Sequence, residues 1–75
     1  MQPRTIVTIN NNGVIEFISL YVHLFGSEKH IKFPVVNGKV QNVSFYCKMY
    51  GRQLIEEYVI YAQEKIDTET FDEIN

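Results

Sequence analysis

At 75 residues the chain holds one domain at most, and a chain this short hides only about 60% of its unfolded surface. A single cysteine, Cys47, excludes an intrachain disulfide and fits a reducing compartment, so oligomerisation is the remaining supplement to a small core and a homodimer is an expected form. The net charge of −2 is uneven: residues 1–42 carry four Lys/Arg against two Glu, and residues 43–75 carry three against seven Asp/Glu, a field that repels nucleic acid over the acidic half and attracts basic partners.

The start, Met1-Gln-Pro-Arg4, lacks the charged start followed by an unbroken apolar run that a signal peptide shows. The longest apolar stretch, Val14 to Phe25, is interrupted by Glu16, Ser19 and His23 and is far short of the roughly 20 residues of a membrane span. A soluble cytoplasmic protein is expected. Asn42-Val43-Ser44 matches a glycosylation sequon, which without a secretory signal reads as a chance match.

Thr5 to Ile9 is a β-branched run that predicts a strand, and Asn10-Asn-Asn-Gly13 after it predicts a hairpin turn. Val14 to Phe25 reads as a second strand. Val14, Ile18, Leu20, Val22 and Leu24 share one face, and Ile15, Phe17, Tyr21 and Phe25 share the other. Two apolar faces suit a central strand covered on both sides, or one in a dimer interface. Gly26 to Lys29 is the next expected turn, and His30 to Val36 a third strand in which Pro34, lacking an N–H, indicates an edge or a bulge. Asn37-Gly38 is the strongest two-residue hairpin signal in the chain.

Residues 43–50 fit two patterns. As a strand, Val43, Phe45, Cys47 and Met49 alternate with Ser44, Tyr46, Lys48 and Tyr50; as a helix capped by Asn42 or Ser44, Val43, Cys47, Tyr50 and Leu54 form one stripe. Asn-Gly turn chemistry and the aromatic content favour the strand. The segment at about 51–66 is an amphipathic helix: Leu54, Ile55, Tyr58, Val59, Ala62 and Ile66 fall on one face, and Arg52, Gln53, Glu56, Glu57, Gln63 and Glu64 on the other. The expected fold is therefore a small α+β domain over 1–66, with three or four antiparallel strands, the helix packed on the sheet, and an acidic tail at 67–75.

No catalytic, cofactor or metal motif emerges from the residues. His23, His30 and Cys47 show no ligand spacing, and Cys47 has no base beside it to form a thiolate. Glu56 and Glu57, adjacent on a helix, diverge by about a hundred degrees, which is no geometry for an acid pair. No enzyme is expected. Protein–protein contact is the leading expectation, with the chain as an inhibitor, adaptor or accessory subunit, a role that also suits a phage or mobile-element product. The residues assigned to the partner are Tyr46, Met49, Arg52, Ile60 and the acidic set Glu56, Glu57, Glu64, Asp67, Glu69, Asp72 and Glu73, which would face a basic surface. The alternative is a nucleic-acid-binding domain in which Lys29, Lys32, Lys39, Lys48 and Arg52 meet phosphates while Phe33 and Tyr50 offer rings to bases.

Overall fold

A computed structural model of the chain describes residues 3–41 and 43–68, with Val43 described by its backbone alone. Strands β1 (Arg4–Ile9), β2 (Ile15–Leu24), β3 (Ser27–Val36) and β4 (Lys39–Val40) are followed by helices α1 (Val43–Tyr50) and α2 (Arg52–Thr68). The strands form one antiparallel meander in the order β1-β2-β3-β4. This is the small α+β fold that the alternation of strand-forming residues and turn signals predicts, with a second helix added.

Each turn has its own chemistry. Asn10 folds the first hairpin, its Oδ1 accepting from the N–H of Asn12 at 2.9 Å and of Val14 at 3.0 Å. Thr8 lies opposite Phe17 and Ile9 opposite Ile15, so Glu16 is the extra residue of a bulge. That bulge reverses the alternation of β2 and turns Ile15 towards the core. The β3–β4 hairpin turns on Asn37 and Gly38, both at positive φ, as the Asn-Gly pair predicts. Between β2 and β3 the turn is shorter than the expected Gly26–Lys29 loop. Phe25 and Gly26 alone make it, at φ 53° and 83°, and Ser27 already pairs with Leu24.

The sheet buries one face under the helices. Ile18, Leu20, Val22, Ile31, Phe33 and Val35 meet Ile55 and Ala62 of α2 there, with Tyr58, Val59, Tyr61 and Ile66 packed around them. Burying a side chain such as Ile55 contributes about 1.5–3 kcal/mol. The opposite face carries no described helix or strand, so the expectation that β2 is covered on both sides is replaced by a one-sided core. Phe17 and Tyr21 on the open face are instead shielded by cross-strand neighbours: Lys32 Nζ lies 4.3 Å from the Phe17 ring centroid, Arg4 lies over one side of Tyr21, and His30 stacks on Tyr21 at 4.5 Å.

Residues 43–50 form a helix, not the fourth strand that turn chemistry and composition favoured. Two tertiary features decide it. The Tyr46 hydroxyl accepts from the Lys32 N–H at 3.0 Å and donates to the Lys32 carbonyl at 3.1 Å, tying α1 to the edge of β3. Gly51, at φ 100°, adopts a left-handed conformation that other residues resist and redirects the chain between the two helices. The Gly51 N–H still bonds Cys47 O, and Ile55 N–H bonds Gly51 O, so both backbone groups of the redirecting glycine are satisfied. Gln63 also departs from its expected place on the solvent face of α2. Its amide accepts from the Val40 N–H at 3.0 Å and donates to the Gly38 carbonyl at 2.8 Å, clasping the β3–β4 hairpin.

Candidate functional site

The clearest surface feature is built where α1 meets the β2–β3 turn. On α1, Tyr46 and Tyr50 are one helical turn apart and face inward, whereas Phe45 and Met49, with the same spacing, face solvent. Tyr46 stands edge-on against the fully buried Phe33 at 5.4 Å and stacks with Tyr50 at 6.4 Å. Phe45 meets Tyr46 at 5.2 Å, and Phe25 stacks on Tyr50 at 6.4 Å. A continuous aromatic chain thus runs from the core to the surface. Its two outer ends are Phe25, 77% exposed, and Phe45, 55% exposed, and Met49, also 55% exposed, follows Phe45 one turn along α1.

Phe25 is the unusual member of this group. A bulky side chain at φ 53° occupies the left-handed region that Gly and Asn normally hold. Its exposure leaves little burial to offset that strain. The sequence assigned Tyr46 and Met49 to a partner surface but passed over Phe25 and Phe45. The signals for them were Phe25 directly before Gly26, which placing the turn at residues 26–29 obscures, and the Phe45/Met49 spacing, readable only once residues 43–50 are known to be helical.

The acidic half of the expected site is gathered on α2. Glu56, Glu57, Ile60, Glu64 and Asp67 are all exposed and follow one another at helical spacing along the solvent face. Arg52 forms an exposed ion pair with Glu56 at 3.6 Å, a contact of the kind worth little to stability. Burial, and secondarily the Glu57 carboxylate, hold the Tyr58 phenol above its ordinary value. Glu69, Asp72 and Glu73 lie outside the described residues. A shallow groove of about 470 Å³ at the α1–α2 junction is lined by Tyr50, Gly51, Arg52, Gln53, Leu54 and Glu57. It joins the aromatic patch to the acidic stripe.

The residues of the nucleic-acid alternative do not share a face. Lys32 is on the open side of the sheet, Lys29 pairs with Val22 on the helix side, and Lys39 follows the β3–β4 turn. Lys48 is on α1, and Arg52 is engaged by Glu56. Phe33, fully buried, has no ring surface for a base, and Tyr50 is stacked between Phe25 and Tyr46. What the register assembles instead is the Arg4–Tyr21–His30 row on the open face, beside Phe17 and Lys32.

A second cleft, of about 440 Å³, opens at the end of β2 between Arg4, Tyr21, His23, Glu28 and Tyr58. Among the described residues no group of three or more His, Cys, Asp or Glu is placed to hold a metal ion. Cys47 is a free, partly buried thiol packed against the core. No described helix is long and apolar enough to cross a membrane. Comparison with protein-family models, curated proteins and solved structures returns no significant match.

Proposed function

We propose that the protein acts by binding another protein, as an inhibitor, adaptor or accessory subunit, through the patch of Phe25, Phe45 and Met49. The observation that carries this reading is a ring assembly rooted in the core that ends in Phe25 and Phe45, both more than half exposed, with Met49, equally exposed, one helical turn from Phe45 on α1. Aromatic residues and methionine, held rigidly and ready to be desolvated, are the anchors from which interfaces draw most of their affinity. The acidic stripe across the junction groove selects a partner with basic residues around its apolar pocket, and adds a salt-dependent contribution to association.

The test is capture by the tagged full chain from nuclease-treated source-cell lysate, with variants run in parallel. The native chain is expected to retain a protein at stoichiometric yield. F45S and M49S should each weaken that capture about tenfold or more. E57K/E64K should weaken it mainly at low salt. Capture that is indifferent to F45S and M49S sinks the reading.

A second reading rests on the open sheet face. Arg4 and Lys32, laid over the Tyr21 and Phe17 rings, would meet the phosphates of a single-stranded nucleic acid, for which cationic contacts supply most of the non-specific affinity. It predicts a gel shift at low salt that R4A and K32A weaken. The absence of any low-salt shift removes it.

A further inference from the structure

The two edges of the sheet are treated differently. In an antiparallel strand the N–H and C=O of one residue point to the same side, and those of the next point to the other. Tyr46 takes both groups of Lys32, so Lys32 faces away from β2. Its partner Ser19 then faces β1, and Ile6, paired with Ser19, faces β2. It follows that Thr5, Val7 and Ile9 point their N–H and C=O groups outward from β1. Among the described residues nothing accepts or donates to them.

The far edge is closed by contrast. Beyond the Tyr46 clasp, the Pro34 carbonyl accepts from Gln41 N–H, Val36 pairs with Lys39, and the Val40 N–H goes to Gln63. Among the described residues the Val40 carbonyl and the stretch at Glu28 and His30 are left without such a partner, and the polar side chains of that stretch suit an edge meant to stay single. β1 has none of these protections. It contains no proline or lysine, its one charge is at the end, and the bulge of its hairpin is on β2.

We propose that β1 pairs antiparallel with β1 of a second copy, about a two-fold axis at Val7, to make one continuous sheet of twice the width. The register follows from the outward groups. Val7 lies opposite its own counterpart, and Thr5 lies opposite Ile9 on either side, so each outward N–H and C=O gains a partner. The side chains are self-complementary in this register: Val meets Val, each Thr meets an Ile, and Arg4 meets Asn10, so no like charges are opposed. Ile6, 47% exposed on the open face, would gain Thr8 of the other copy as a neighbour. This self-match in reversed direction favours a second copy over an unrelated strand.

The test is the solution mass of the full chain by sedimentation equilibrium, across micromolar to millimolar concentration. A dimer is expected. V7P removes an outward N–H that the single sheet does not use, and should shift the chain to monomer with its circular dichroism unchanged. I6K/T8K alters only the exposed face and opposes lysines twice across the axis, so it should raise the dimer dissociation constant about tenfold or more even if V7P fails to fold. A monomer at every concentration overturns the proposal, as does a dimer indifferent to I6K/T8K. A dimer lost in F45S but kept in I6K/T8K also overturns it, and moves the interface to the α1 patch.

Discussion

The β2–β3 and β3–β4 hairpins turn on nearly the same backbone and differ in the residue that begins the turn. Asn37 and Gly38 have φ 52° and 79°, and Phe25 and Gly26 have φ 53° and 83°. Asparagine tolerates this region because its short polar side chain interacts locally, whereas a phenylalanine there costs about 1–2 kcal/mol. The Asn37 turn is further held by Gln63 from α2. The Phe25 turn has a ring contact with Tyr50 and otherwise projects into solvent. One hairpin is optimised for folding, and the other keeps a strained aromatic at its tip. Such strain, persisting without burial to offset it, is the reason Phe25 is included in the proposed partner surface.

Removing the clasp on the relaxed hairpin should have the largest effect. Gln63→Ala leaves the partly buried Val40 N–H without its acceptor, and is expected to lower stability by about 1–3 kcal/mol in urea denaturation. Making the relaxed turn resemble the strained one comes next. Asn37→Phe should cost about 1–2 kcal/mol, and with it about 4–8 °C of melting temperature per kcal/mol in a domain this small. The converse change, Phe25→Asn, relieves the strain but loses the Tyr50 contact, so a gain of at most about 1 kcal/mol is expected. The same variant should weaken partner capture. A Phe25→Asn protein that is less stable than the native chain would show that the aromatic serves folding after all.

The smallest effect is outside both hairpins. Because burial and Glu57 favour the neutral Tyr58 phenol, its folded pKa is above the unfolded value of 10.0. The stability it contributes is therefore complete below pH 10 and is lost as pH rises through the folded value. Tyr58→Phe should flatten the decline in urea midpoint between about pH 9 and about pH 11. An unchanged slope would assign the alkaline transition to other groups.

Much of the architecture is legible in the residues taken in order. The 3.6-residue period of Leu54 to Ile66 predicts α2 and the face it buries. Asn37-Gly38 predicts its turn, and Pro34 predicts an edge: its missing N–H falls on the side of β3 turned away from β2, where the ladder to β4 ends. These features are local, set by side-chain sterics and by which backbone groups a residue can offer. Residues 43–50 were not legible, because eight residues fit a two-residue and a 3.6-residue period equally well. Tyr46 resolved them by reaching Lys32, fourteen positions away in the chain.

The site was less legible still. Tyr46, Met49 and the acidic stripe are visible as residue types, but Phe25 and Phe45 acquire meaning only when a turn and a helix bring them onto one surface. Gln63 looks like solvent-facing polarity until β4 is placed beside it, and Phe33 looks like an available ring until α1 covers it. The sequence by itself determined the first three strands, the turns at residues 10–13 and at Asn37-Gly38 and the main helix, since those choices rest on neighbouring residues. Tertiary structure alone decided which edge of the sheet is closed, which aromatics are core and which are surface, because each depends on groups distant in the chain satisfying one another's hydrogen bonds and burial.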